Sequence, residues 1–410
     1  MEIINFKKWL INEINWTETP DNFGFSDVSA TCLPVEIIVD DLNKQLERLK
    51  KSPNDRGKFP RNSELKPKKM LLPQLTTKTI HTAKDTIEGF IKKITKEPKT
   101  IFDIGIKSEH SNQLDQNSFT VNTGIPALRS IVYDMQQEKF YAINTCKGAG
   151  SCIMNCYALK GFYILHDGKN LKLQQRINLL VNDPEKYYLK ALEELKAIAL
   201  KEVSNGKILK IRWNDAGDWF SKTYYNIAVK ITNDLKSIKL SLSDFNSKLL
   251  SSNTVRKKII DFKDKIVSYG YTKQGEYIEL GKKDNIILNF STGAKQSELA
   301  KIDINSTKMS VIVNKSVFDK VFKRNAGQVK FAHGMNKEIL RQLITNWAIE
   351  NNYINYGDKL LFTDELIKIP ENKNPFWNKG KKYNVIILPK GDSDLPAQRK
   401  DVHYTFLMEH

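Results

Sequence analysis

"DPEKYYLKALEELKAIALKEVSNGKILKIRWNDAGDWFSKTYYNIAVKITNDLK" (183–236) reads as helix, strand, turn and helix in succession. Pro184 opens the first helix, where its fixed φ suits the first turn and its missing N–H is no loss. Asn205-Gly206 closes that helix. "KILKIRW" (207–213) is a short run with strand character, and "SKTYYNIAVKITNDLK" (221–236) returns to helical spacing. Strand followed by helix is the unit of a parallel sheet.

The pattern recurs on both sides. Strands are predicted at 265–272, 285–291, 309–314 and 383–389, and helices at 315–324 and 333–352. "SIVYDMQQEKFYAIN" (130–144) predicts two short strands around a polar turn. The N-terminal region predicts helices at 35–51 and 79–98, joined by a proline-containing basic run. The expected fold is α/β: a partial (βα) barrel-like or open parallel sheet with an N-terminal, mainly helical accessory region. Residues 1–115 are read as accessory and 116–410 as the βα domain, with an insertion near 237–264. No fixed-period repeat and no glycine-rich phosphate loop appears.

The chain has 410 residues, 40% of them hydrophobic, enough for a sizeable core. Its net charge of +18 suits a polyanionic partner, DNA or RNA, through a basic surface. A lysine-biased composition explains the same number without a partner. "MEIINFKKWLINEINW" carries no long apolar run, and no stretch approaches the roughly 20 apolar residues of a membrane span. The reading predicts a cytoplasmic protein without a membrane partner.

Three of the four cysteines fall in "TCKGAGSCIMNCYALKG" (145–161), spaced C-x5-C-x3-C. Four cysteines are too few for a disulfide framework in a chain this long, and in a reducing compartment such a group reads as a metal or redox site. Cys146, Cys152 and Cys156 suit three corners of a [4Fe-4S] cluster, with zinc as the alternative and buried, metal-free cysteines as the plain reading. Cys152 and Cys156 would share a face if the segment is helical.

In parallel α/β sheets ligands bind at the C-terminal ends of strands. There, "RWNDAGDW" gathers Arg212, Asn214, Asp215 and Asp218, a set for a carboxylate, phosphate or metal, although Asp218 or Ser221 could instead cap the next helix. Thr272 and Lys273 follow another strand, and "STGAK" (291–295) offers backbone amides to an anion. "GDSDLPAQRKD" supplies Asp392, Asp394 and Asp401 beside Arg399, for a divalent metal or ion pairs. His403 and His410 are candidate ligands or acid–base groups, and His166 reads as a turn residue.

Several of these segments resemble a phage-associated family, the "gene product 88"-like proteins of phage, prophage and plasmid genomes. The resemblance rests on Cys156-Tyr157-Ala158 with Gly161, on Arg176-x-Asn178, and on Arg212 to Ser221. "YGYTK" (269–273) and the C-terminal "PKGDSDLPAQRKDVHYTFLMEH" complete it. It covers about residues 117–410. It implies an iron–sulfur protein, similar to radical S-adenosylmethionine enzymes, with S-adenosylmethionine as cofactor and a small-molecule substrate. The cysteine spacing here is not the C-x3-C-x2-C of those enzymes. The expected catalytic set is Arg212, Asp218, Lys273 and Asp392. The expected cofactor-binding set is Asn178, Asn214, Thr272 and Asp394, and the metal set is Cys146, Cys152 and Cys156. A non-enzymatic nucleic-acid-binding protein with a structural zinc or cluster is the alternative.

Overall fold

The computed structural model describes residues 28, 30–40, 87–156, 158, 167–241, 259–313, 337–371, 382–388 and 392–408. The basic run after residue 51 and the helix expected at 315–324 lie outside the described residues. The chain forms two compact units, each assembled from several stretches.

The first unit takes Met1–Ile101, Thr123–Ala191 and Asn214–Ala228. Its sheet is a small antiparallel one of β1 (Ala30–Leu33), β4 (Lys139–Asn144) and β3 (Arg129–Asp134), in the order β1-β4-β3. The N-terminal region therefore supplies a strand as well as helices. α1 (Ile87–Ile94) lays Phe90 and Ile94 on this sheet against Ile131, Phe140 and Leu33. β3 is an edge strand, and α3 (Asp167–Asn182) covers its open backbone with a ladder of amide side chains. Gln174, Asn178 and Asn182 recur every four residues and so share one face of α3. Gln174 Nε2 bonds Ile131 O, Asn178 Oδ1 accepts Tyr133 N–H at 3.0 Å, and Asn182 Nδ2 donates to Tyr133 O at 2.9 Å. Backbone groups that could otherwise template pairing with another chain are thereby used up.

The second unit takes Phe102–Asn122, Leu192–Trp213 and Val229–His410. It holds an open eight-stranded sheet in which every pairing is parallel, as the sequence predicts; the sheet does not close into a barrel. The strands are β2 (Ser118–Asn122), β5 (Ile208–Trp213), β8 (Ile266–Thr272), β9 (Ile286–Ser291), β10 (Met309–Val313), β11 (Leu360–Phe362), β12 (Tyr383–Ile387) and β13 (Val402–Met408). Their order is β11-β12-β13-β10-β9-β8-β5-β2. β13 was not expected from the sequence, yet it lies between β12 and β10. β6 (Lys239–Ser241) and β7 (Ile259–Asp261) pair antiparallel at the two ends of the predicted insertion.

One face of the large sheet carries the longer helices. α4 (Pro184–Ser204) and α5 (Lys222–Lys236) run where the sequence predicts them. Thr232 of α5 bonds Ser268 of β8 at 3.2 Å. In α6 (Glu276–Asp284), a Cβ on Gly281 would stand 2.9 Å from Leu288 of β9, so the helix sits almost on the strand. Trp347 of α8 (Lys337–Glu350) meets Phe406 of β13 edge-on. The other face meets the short α10 (Leu395–Gln398), whose Ala397 packs on Tyr269 and Ile287.

Candidate functional site: the cysteine window and the strand-end turns

In the first unit the turn after β5 is tightly specified. Asn214 takes a left-handed φ of 56°, which asparagine tolerates better than most residues. Gly217 takes φ 77°, and a Cβ there would stand 2.5 Å from Ile125 Cγ1. The turn pairs with the segment 123–125, through Asp215 N to Thr123 O at 2.8 Å and Ile125 N to Ala216 O at 3.1 Å. A Cβ on Gly124 would meet Ala216 N at 2.8 Å, so this pairing needs glycine too.

The same turn meets the cysteine window. Asp218 N–H donates to Thr145 O at 2.8 Å, and Thr145 Oγ1 donates to Pro126 O at 2.6 Å. The next residue, Cys146, has its Sγ accepting Leu128 N–H at 3.3 Å. Asp215 is paired with Lys169 of α3 at 3.3 Å. Tyr224 O–H donates to Asn214 Oδ1 at 3.0 Å, and burial raises the Tyr224 pKa well above its usual value. Asn214 Nδ2 is buried without a protein partner. Asp218 Oδ1 accepts Trp219 N–H, whereas Ser221 Oγ accepts Tyr224 N–H at 2.9 Å; Ser221, not Asp218, caps α5.

All three window cysteines are half-buried and outside any disulfide, and Cys32 is exposed on β1. The helical face expected to join Cys152 and Cys156 does not form. Cys152 sits in a five-residue 3-10 turn, Ser151–Asn155, and Cys156 follows in extended backbone at φ −61°, ψ 115°. A tight turn closed by Ala149 N–H to Cys146 O, with Gly148 inside it and Gly150 just after, precedes it. Among the described residues no three His, Cys, Asp or Glu side chains form a group that could hold a metal ion.

The second unit holds the other expected residues. Arg212 is buried at 3% exposure on β5; its Nη1 pairs with Asp394 Oδ2 at 2.8 Å, and its guanidinium lies over the Tyr271 ring. Asp392 is occupied by backbone: it accepts Leu388 N–H and Ser393 N–H, both at 2.7 Å, and faces Thr363 Oγ1 at 3.2 Å. Burial raises its pKa. Thr272 Oγ1 accepts Gln274 N–H at 3.1 Å, and Lys273 beside it is half-buried. Arg399 and Asp401 form a buried bidentate pair that also ties down Leu366 O and Ile369 O, which makes them a brace for the start of β13. His403 bonds Ile304 O at 3.0 Å, and burial lowers its pKa to about 4. The "STGAK" segment precedes only the four-residue α7 (Gln296–Leu299).

Asn178, expected beside a cofactor, has every polar atom engaged in the first unit, on Tyr133 N, Ile131 O and Gln174 O. Its motif partner Arg176 is buried and donates from Nε to Thr100 O at 3.3 Å. Sequence reasoning missed Lys169 as the partner of Asp215. It also missed Asn289, an asparagine inside the otherwise apolar "NIILNFS", where a polar residue in a buried strand is itself the signal.

Residues 105–324 match the Gene product 88 family, more than half of the chain. The chain belongs to that family. It is a phage-type gene-product family. The matched span holds the cysteine window, Arg176-x-Asn178, the 212–221 turn and "YGYTK", but stops short of "PKGDSD" and β13. Neither the curated proteins nor the solved structures hold a match to the chain. No described helix is long and apolar enough to cross a membrane.

Proposed function

We propose that the chain is a phage-encoded thiolate protein, an enzyme or redox protein. In this reading the cysteine window works with the Asn214–Asp218 turn of the first unit. The supporting observation is the Leu128 N–H donated to Cys146 Sγ at 3.3 Å. A hydrogen bond to sulfur favours the thiolate, the form that ligates metal and acts as nucleophile. The Thr145–Asp218 hydrogen bond ties that thiolate's neighbour to a turn rich in carboxylate and amide groups. Three thiolates in eleven residues remain the donor set of a soft metal, with an iron–sulfur cluster the finer reading. The described positions do not assemble that set, so binding would have to draw Cys152 and Cys156 toward Cys146.

The test is anaerobic purification of the full chain with iron, sulfide and zinc analysis, beside Cys146→Ala. Iron and sulfide in near-equal amounts, lost in the variant, support the cluster. One zinc without colour supports a closed thiolate site and removes the redox reading. A metal-free wild type rejects metal binding.

A further inference from the structure

Strand register fixes which side chains share a face of the large sheet. Arg212 lies beside Tyr269, Tyr271 beside Asn289, Ser291 beside Ser310, and Ser310 beside Thr405. Lys308, two residues before Ser310, falls on the same face. The opposite face carries Ile211, Leu288, Phe290, Val311 and Phe406. Strands of a parallel sheet buried on both faces usually read as apolar throughout. Here one face is mainly apolar and the other mixes apolar residues such as Ile287 with polar ones that are buried no less: Asn289, Ser310 and Thr405 are each 0% exposed.

The charged members of this face have protein partners. Arg212 pairs with Asp394, and Lys308 Nζ donates to Pro396 O at 2.9 Å and Val402 O at 2.8 Å. Four uncharged atoms do not: Asn289 Oδ1, Gln398 Oε1, Ser310 Oγ and Thr405 Oγ1 are buried without a protein partner. The orientation of Asn289 is settled by chemistry. Its Nδ2 reaches Gly270 O and Ala397 O, both at 3.1 Å, and two carbonyls can only accept. The atom left over is therefore an acceptor. Gln398 sits on α10, donating from Nε2 to Tyr269 Oη at 3.1 Å. Buried polar groups in folded proteins are nearly always satisfied, so three on this face and one on the helix above it call for a polar occupant.

We propose that this face, beneath α10, binds an uncharged hydroxyl-bearing small molecule of sugar or polyol class through Asn289, Gln398, Ser310 and Thr405. Amide oxygens need donors, whereas serine and threonine hydroxyls donate or accept. A ligand hydroxyl answers both, giving its proton to an amide oxygen and accepting from a side-chain hydroxyl. A fully ionised anion offers Asn289 Oδ1 no donor. Arg212 and Asp394 neutralise each other, so the pair offers no net charge to a ligand of either sign. The site uses none of the cysteines, so it stands or falls apart from the thiolate reading.

The experiment titrates the full chain with D-ribose as the neutral probe and sodium phosphate as the anionic one. It follows Tm for wild type and for Ser310→Ala/Thr405→Val. The expected result is a saturable rise of a few degrees with ribose in wild type, absent in the variant. The ligand-free variant should melt at or above wild type, because both changes remove unsatisfied hydroxyls. No saturable rise with ribose, an equal rise in both proteins, or a rise with phosphate alone overturns the proposal. So does a ligand-free variant that melts lower, since the hydroxyls would then be held internally and serve only the fold.

Discussion

Replacing Asn178 by leucine should weaken the first unit without touching ligand chemistry. Asn178 makes three hydrogen bonds, to Tyr133 N, Ile131 O and Gln174 O. Two of those partners keep an alternative. Ile131 O also receives Gln174 Nε2, and Gln174 O belongs to the ladder of α3 itself. Only Tyr133 N–H is left unpaired, on an edge strand covered by a helix. Such an orphan costs about 1–3 kcal/mol, and leucine matches asparagine in branching and heavy-atom count, so no cavity is opened. The expected loss is about 2 kcal/mol, or roughly 30-fold in the opening equilibrium of this unit. Native-state hydrogen exchange reads it directly: protection of the β3–β4 ladder amides, which keep their acceptors, should fall by that factor. The urea midpoint should drop at constant m. Unchanged protection and midpoint, together with loss of a bound cofactor, would refute the reasoning and return Asn178 to the binding residues.

Other perturbations follow from the same geometry. Gly217→Ala should destabilise the 214–221 turn by more than the roughly 1 kcal/mol of a left-handed alanine, because its Cβ also strikes Ile125; Ile125→Val should recover part of the loss in thermal melts. Arg212→Met strands Asp394 at 1% exposure and should cost about 3–5 kcal/mol, whereas Arg212→Met/Asp394→Leu should regain most of it. His403 stays neutral in the folded chain down to about pH 4, while the unfolded chain protonates it near 6.5. The unfolded state then binds more protons between those values, so stability falls as pH drops from 6.5 to 4 and the His403 contribution levels off below 4. His403→Gln should flatten that part of the urea-midpoint profile by on the order of 3 kcal/mol.

The parallel sheet was legible because Ile208–Trp213, Ile266–Thr272 and Ile286–Ser291 are apolar runs bounded by turn residues, with strong helices at Pro184–Ser204 and Lys222–Lys236. β13 escaped because "VHYTFLM" lies next to the chain end, where an apolar run reads as an anchor rather than as a strand inserted between β10 and β12. β11, at three residues, is too short to carry a periodicity. Arg212 and Asp394 were both singled out as polar residues at strand ends, but their pairing across 182 positions of sequence is a product of topology. Asn178 shows a different limit of local pattern. An amide that serves an edge strand has the same local pattern as one that serves a ligand. The cysteines were conspicuous by spacing, yet the helix assumed to align them is a 3-10 turn ending at Asn155, with Cys156 beyond it in extended backbone.

The thiolate reading is tested most directly by metal and sulfide content per chain after anaerobic purification, measured for wild type and Cys146→Ala. Wild type should retain a soft metal, iron with near-equal sulfide in the finer reading, and lose it when Cys146 is removed. A colourless, metal-free wild type, or metal that survives Cys146→Ala undiminished, would contradict it.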